Sequence, residues 1–459
     1  MKMVKSLLLG SAAGVVAIAG AQAADLPVKA KPVQYVKICS LYGAGFYYIP
    51  GTDTCLKIGG FVRAEYNINT ASGSYVQYNA VNFDSRATND THMRTRGGIS
   101  ADARTQTAYG TLRAYVNIAP TVTDIAPGTG TAIWHNRAFI QFAGFTAGLA
   151  ASFFDFDPIS SYSNQTNRLG SSVGGTGIPL FAYTAQLGNG FSATIAAESP
   201  AHRRTAIFST TGTGYGGWQW PDVVGNVRVD QAWGSAQVMG AIHQVRPGYY
   251  TASATSGGPG QDVGYALGAG LRLNLPMLGK GDFLITQFTY AEGAIGYVGA
   301  GLATYNIQNG TGNPSDPVTV AYGPVFDAAY GPPGSGLNLT KGWSVTAGFQ
   351  HNWNAQWRTS VYGAYGALNY TNPASAYILW SGTPGALGGA VAPTALTTGT
   401  ADWSLYQVGS RTMWTPVPNL QLSVEVMYNH VNTAYDSSPG YEDKGWVSGI
   451  FRVQRNFYP

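Results

Sequence analysis

The most regular feature of the chain is an alternation of apolar and polar positions over segments of about ten residues, the length of a membrane-spanning β-strand. Successive side chains of a strand point to opposite faces, so each such segment predicts a strand with one apolar and one polar face. In the segment 57–69 the first face carries Ile58, Gly60, Val62, Ala64, Tyr66 and Ile68, and the second carries Phe61, Arg63, Glu65 and Asn67. The segments 107–117 and 419–428 show the same alternation.

Sixteen segments qualify as strands, and an even number is what bacterial single-chain barrels contain. The alternation in 282–291 and 403–413 is blurred, so fourteen or eighteen strands remain open. The predicted strands are 57–69, 92–104, 107–117, 134–143, 147–155, 180–187, 191–198, 224–231, 236–245, 262–274, 282–291, 341–351, 356–369, 403–413, 419–431 and 445–457.

The connections between these segments alternate in length. Short links rich in Gly, Asn and Pro, which supply turn dihedrals, include Thr105-Gln106 and Gly188-Asn189-Gly190. The long connections are 70–91, 118–133, 156–179, 199–223, 246–261, 292–340, 370–402 and 432–444. Short periplasmic turns and long extracellular loops are typical of outer-membrane barrels.

The fold class that follows is all-β: a transmembrane antiparallel β-barrel of about 16 strands, wide enough to enclose an aqueous channel. Composition agrees, because only 10% of the residues are charged, against about 25% in soluble domains. The 29 Tyr and 11 Trp suit aromatic girdles at the two membrane interfaces.

The N-terminus reads as an export signal. Lys2 and Lys5 precede the apolar stretch 7–19, and Ala21-Gln22-Ala23 matches a cleavage site, although a retained anchor is the alternative. The predicted organisation is a signal peptide at 1–23, a periplasmic segment at 24–56 and the barrel at 57–459. Without the signal peptide 24 basic residues face 22 acidic ones, and this balance does not suggest a nucleic-acid partner.

The chain has two cysteines, Cys39 and Cys55. In an exported protein a close pair predicts a disulfide, here one that clips the periplasmic segment. A redox or metal role is the alternative, but the pair is not a C-x-x-C motif.

Several stretches along the chain resemble alphaproteobacterial general porins. The resemblance implies a homotrimeric diffusion channel of the cell outer membrane, in contact with its lipid, with both termini periplasmic and the third long loop folded into the lumen. The matching stretches are Tyr35–Cys39, Tyr42–Leu56, Arg137–Phe145, Gln186–Thr194, Arg228–Gly234, Trp343–Thr346 and Arg452–Phe457.

A pore constriction can be predicted from the inserted loop and the early strands. The loop at 156–179 would bring Asp155 and Asp157 into the lumen, opposite five arginines whose side chains fall on the polar face. Such opposed charges would sort ions and small hydrophilic solutes. Alternatively, some of these arginines lie at the barrel ends or pair locally, as Arg63 could with Glu65. The predicted arginines are Arg63, Arg94, Arg96, Arg113 and Arg137.

No catalytic residues, metal ligands or cofactors are predicted. The stretch Gly170-Ser171-Ser172-Val173-Gly174 matches G-x-S-x-G but lies in a Gly/Ser-rich loop, whereas a nucleophile elbow joins a strand to a helix. Two rival functions remain: a barrel lipase with a surface serine, and an adhesive barrel whose loops, such as 292–340, bind a partner.

Overall fold

The computed structural model describes most of the predicted barrel and its outer loops. The predicted signal peptide lies outside the described residues. These residues are 37–69, 81–82, 91–126, 128–156, 161–165, 169–172, 177–210, 214–251, 253–299, 304–309, 319–380 and 399–457.

Sixteen long antiparallel strands form one closed sheet, as predicted. The last strand pairs with the first in the register Phe61↔Asn456 and Glu65↔Arg452, which closes the barrel. The strands are β1 Cys55–Ile68, β2 Thr91–Thr107, β3 Gly110–Ala126, β4 Gly128–Phe142, β5 Phe145–Ala150, β6 Ile178–Gly188, β7 Phe191–Glu198, β8 Asp222–Gln231, β9 Gly234–Val245, β10 Asp262–Asn274, β11 Phe283–Glu292, β12 Lys341–Asn352, β13 Trp357–Asn369, β14 Trp403–Trp414, β15 Leu420–Asn432 and β16 Lys444–Asn456.

The two faces of the strands are those that the alternation predicts. On β1, Val62 is 55% exposed on the outside of the barrel, whereas Glu65 is 4% exposed and Asn67 fully buried on the inside. On β15, Val424 is exposed and Glu425 is buried. The apolar side chains therefore lie on the outside of the barrel and the polar ones face the lumen.

The second, third and fourth strands are longer than the sequence pattern predicted. The short link expected at Thr105-Gln106 is part of β2, and the turn lies between Thr107 and Gly110. The loop expected at 118–133 is mostly strand, because β3 continues to Ala126 and β4 begins at Gly128. A β-bulge shifts the register between Asn117 and Ile118, where the predicted third strand ends.

The fifth strand ends at Ala150, five residues earlier than predicted. The chain leaves the wall there because the Glu198 carboxylate, at the end of β7, binds Ser152 and Phe153. Ser152 Oγ donates to Glu198 Oε2 at 2.7 Å, and the Phe153 N–H donates to Glu198 Oε1 at 2.8 Å. The following residues turn into the lumen.

The outer loops carry secondary structure of their own. Helix α1, Asn372–Trp380, lies in a segment predicted to be loop. Short strands Tyr305–Asn309 and Thr319–Gly323 pair with each other, and Tyr322 and Tyr435 stack within the apolar core of these loops. Among the described residues, no helix is both long enough and apolar enough to cross a membrane.

Candidate functional site

The segment between β5 and β6, residues 151–177, is called the inserted loop here. It is described at 151–156, 161–165, 169–172 and 177. These described residues lie inside the barrel, as predicted for the third long loop. Phe154 at its start is fully buried against Tyr297, with ring centroids 4.7 Å apart.

Glycines of the wall make room for the aromatic side chains of the inserted loop. A Cβ added at Gly270 on β10 would overlap the Phe156 ring, and one added at Gly348 on β12 would overlap the Tyr162 ring. Because glycine has no side chain, these two rings can lie directly on the inner surface of the wall. The two glycines therefore determine where these rings of the loop pack against the wall.

Asn164 fastens the far end of the inserted loop to the opposite wall. Its side-chain oxygen accepts from Arg452 Nη1 at 2.7 Å and from Arg411 Nη1 at 3.4 Å, and its backbone oxygen accepts from Arg452 Nη2 at 3.1 Å. Its side-chain amide donates to Ser423 Oγ at 2.9 Å. One loop residue thus contacts β14, β15 and β16.

Glu425 on β15 completes this attachment. Its carboxylate accepts from Ser163 Oγ and from the Asn164 N–H, each at 2.6 Å, and from the Tyr362 hydroxyl. The side chain is 1% exposed, so the carboxylate depends on these donors in place of water. The loop is therefore attached through charged groups of the wall, the Glu425 carboxylate and the guanidinium groups of Arg411 and Arg452.

Glu65 on β1 lies among three arginines. Arg94 donates to Glu65 Oε2 from one side and Arg452 Nε donates to Glu65 Oε1 at 2.5 Å from the other, while Arg63 Nη1 lies 3.8 Å from Oε1. Arg63 Nε also donates to Gln454 at 2.7 Å. The local pairing of Arg63 with Glu65 is therefore present. The three arginines and Glu65 together carry two more positive charges than negative ones.

The remaining predicted arginines lie along the inner side of β2, β3 and β4. Arg96 Nε donates to Thr121 Oγ1 at 2.8 Å. Arg113 donates to Asp102 at 3.0 and 2.9 Å, and Asp102 is shared with Arg104. Arg137 Nη1 donates to the backbone oxygen of Asn136 at 2.6 Å.

The acidic side of the predicted constriction is only partly described. Asp155 accepts from Arg203 Nη2 at 2.6 Å and from Ser171 Oγ at 2.9 Å. Burial opposes the charged form of Arg203, but the neighbouring Asp155 carboxylate holds the pKa of Arg203 above its ordinary value. Asp157 lies outside the described residues. Ser171, which precedes the serine of the G-x-S-x-G match, lies in the inserted loop and donates to Asp155.

Three arginines important to the site were missed by sequence reasoning. Arg358, Arg411 and Arg452 lie on the inner faces of β13, β14 and β16, and the charges of Arg358 and Arg452 act on Arg411. The alternation that placed Arg63 on the lumen face would have placed these as well. No sequence pattern identifies Asn164 as the shared partner of Arg411 and Arg452.

The N-terminal segment before β1 is joined to the barrel by the predicted Cys39–Cys55 disulfide. Both cysteines are buried with Phe46, and the Arg104 guanidinium lies 4.9 Å from the Phe46 ring centroid. Within the ranges that the structure describes, no group of three or more His, Cys, Asp or Glu side chains could hold a metal ion.

Comparison with known proteins gives consistent matches. The family model described as Porin subfamily matches residues 25–450. Porin Omp2b of Brucella canis is 34% identical over 243 residues, covering 50% of this chain and 64% of that protein. Porin Omp2a of Brucella ovis is 34% identical over 255 residues, covering 50% of this chain and 68% of that protein.

The match thus spans just under two thirds of the length of the first of these curated relatives. Among solved structures, the outer membrane channel DcaP of Acinetobacter baumannii superposes with a TM-score of 0.60 at 15% identity. That superposition covers 89% of this chain and 99% of the other. At this identity the likeness supports the barrel fold alone.

Proposed function

The chain belongs to the Porin subfamily, and from this premise we propose that it forms a passive, water-filled channel for ions and small hydrophilic solutes. It is an outer-membrane protein, and its family and relatives indicate a channel rather than an enzyme.

The observation that carries the proposal is the closed sixteen-strand barrel with polar side chains on its inner face. Barrels of this strand number are too wide for their own side chains to fill, and they enclose an aqueous channel. The inserted loop narrows the lumen on the side of β7 to β16, since the wall contacts of its described residues include Glu198 on β7, Asn226 on β8 and Arg452 on β16. Solutes would pass between the loop and the wall of β1 to β4.

We further propose that this passage favours anions. In this proposal Arg63, Arg94, Arg96, Arg113 and Arg137 would form one side of the constriction, and Asp155 would belong to the other. Two features support the sign: three arginines surround the single carboxylate of Glu65, and Asp155 is already paired with Arg203. The uncompensated charge of the passage is therefore positive.

A homotrimer is proposed from the outer face of the barrel. Near the outer ends of β10 to β15, aromatic rings contact one another, as in the pairs Tyr265–Tyr290 and Tyr406–Tyr428. Such girdles mark a lipid interface. The outward residues near the same ends of β2, β3 and β4 include Met93, Val122 and Ile133, which are exposed and non-aromatic. This face suits contact with a second copy, and native mass spectrometry of the detergent-extracted protein would give the stoichiometry.

The domain organisation is part of the proposal. Residues 1–23 would be removed during export, and residues 24–56 would lie at the periplasmic end, held by the disulfide. Mass spectrometry of the mature N-terminus tests the cleavage.

Liposome swelling tests the diffusion channel directly. Vesicles that contain the refolded protein should swell in iso-osmotic solutions of small sugars, at rates that fall steeply as the sugar becomes larger and never saturate with concentration. Flux that saturates would contradict a general diffusion channel. Vesicles that do not swell in any sugar would contradict the proposed function.

A further inference from the structure

A cavity separate from the lumen constriction lies between two outer loops, residues 199–221 after β7 and 246–261 after β9. Its volume is about 460 Å³, within the usual range for small-molecule sites. Much of its lining is glycine backbone, including Gly216, Gly217 and Gly258. Arg246 and Tyr249 provide larger side chains at its edge.

The cavity is held in shape by contacts between its two loops. The Gly216 N–H donates to the Arg246 oxygen at 2.9 Å, and the Gly248 N–H donates to the Gly214 oxygen at 2.8 Å. A Cβ added at Gly216 would lie 2.9 Å from the Pro247 oxygen, so glycine is what lets the two backbones approach. The site is therefore preformed, which lowers the entropic cost of binding a ligand.

The polar groups of the cavity are mainly hydrogen-bond donors and amides. Arg246 is the one charged residue among those described as lining it. Its Nη1 donates to the Gly217 oxygen at 2.7 Å, and a guanidinium carries four further N–H donors. Gln219 and Gln261 also line the cavity, and both accept from the Gln244 amide.

Two exposed aromatic residues belong to these loops, and one of them, Tyr249, lines the cavity. Trp218, between lining residues Gly217 and Gln219, is 53% exposed, and Tyr249 is 51% exposed. The Arg204 guanidinium lies 5.2 Å from the Trp218 ring centroid and also donates to the backbone oxygen of Gly216, which lines the cavity. Exposed aromatic rings offer flat apolar faces with a polar edge.

From this combination we propose that the cavity binds an acidic saccharide. The Tyr249 ring would cover a C–H face of the sugar, the glutamine amides would bind its hydroxyls, and Arg246 would hold a carboxylate or phosphate in the bidentate geometry that a guanidinium favours. A lipid-free oligosaccharide and an acidic glycolipid headgroup share this chemistry. The site lies outside the lumen constriction and does not depend on conduction.

Calorimetric titration of the full protein in detergent tests the assignment. Tri-galacturonate should bind saturably, and its uncharged methyl ester should bind at least tenfold more weakly. Arg246→Gln should weaken tri-galacturonate binding at least tenfold, Arg246→Lys should weaken it less, and Arg455→Gln at the opposite end of the barrel should change nothing. Tyr249→Ala should weaken the acid and its ester alike.

A second arm identifies the source of the ligand. Vesicles that carry an acidic glycolipid should retain the protein in an Arg246-dependent manner if a headgroup is the natural occupant. Arg246-dependent binding in either arm supports the site. Equal affinity for tri-galacturonate and its ester, together with no Arg246-dependent retention on vesicles, would overturn it. Channel conductance should be the same in every variant, so a failed channel proposal remains distinguishable.

Discussion

Arg452 on β16 and Asn164 in the inserted loop are joined by two hydrogen bonds, although 288 residues separate them in the chain. Arg452 also donates to Glu65 on β1. One guanidinium therefore links the seam where the barrel closes to the loop that narrows its lumen. The same arginine therefore contributes to the charge of the wall, through Glu65, and to the position of the loop, through Asn164.

Asn164→Ala should loosen the inserted loop without unfolding the barrel. The substitution removes bonds to charged groups, which contribute about 1.5–3 kcal/mol each, and it leaves Arg411 and Arg452 with fewer acceptors. Single-channel records should show more frequent conductance fluctuations. Asn274→Ala, which removes a side chain that donates to Ala232 at an exposed turn, is the matched control. Equal noise in the two variants would mean that Asn164 does not hold the loop.

The double substitution Arg94→Gln and Arg96→Gln should lower the permeability to anions relative to cations severalfold, because it removes two positive charges from the wall. Glu65→Gln should have the opposite effect, since it removes the carboxylate that three arginines surround. Reversal potentials in a salt gradient across a planar bilayer measure both. Arg455→Gln, at an exposed end, serves as the control. An unchanged reversal potential in the double variant would remove these arginines from the constriction.

Gly348→Val should displace the inserted loop, because the new side chain would occupy the space of the Tyr162 ring. Overpacking of this kind costs about 1–3 kcal/mol, which the loop can avoid by moving. Protease cleavage within the loop should become faster. Gly363→Ala on the outer face of β13, where the nearest atom to a Cβ would be 3.5 Å away, is the control. Cleavage at the native rate would show that the position of the loop does not depend on the contact between Tyr162 and Gly348.

Reduction of the Cys39–Cys55 disulfide should destabilise the N-terminal segment before β1. Closing a loop of 16 residues contributes about 3 kcal/mol by restricting the unfolded chain. Thermal unfolding followed by circular dichroism should show a lower midpoint for the reduced protein. The Cys39→Ser, Cys55→Ser variant should match the reduced protein. Identical midpoints in reduced and oxidised protein would count against a structural role.

The strand pattern could be predicted from the sequence because a period of two is a local property. Val62 and Glu65 face opposite sides for reasons that involve β1 alone. The early end of β5 could not be predicted, because Ala150 is followed by residues that would suit a strand. The strand ends there because Glu198, 48 positions further along the chain, binds Ser152 and Phe153.

Side-chain pairing in the lumen was harder to predict for the same reason. Polarity placed Arg63 and Arg94 inside, but only the register Glu65↔Arg94 and Glu65↔Arg452 shows that they share one carboxylate with a third arginine. The fit of Tyr162 against Gly348 likewise depends on how the loop crosses the barrel. Such relationships arise from tertiary packing, which no single segment encodes.

Single-channel recording of the refolded protein in a planar lipid bilayer tests the central claim most directly. An open sixteen-strand lumen predicts discrete, long-lived conductance steps whose size rises almost linearly with salt concentration. A protein that inserts into the bilayer and gives no steps would contradict it, because its interior would then be closed to water.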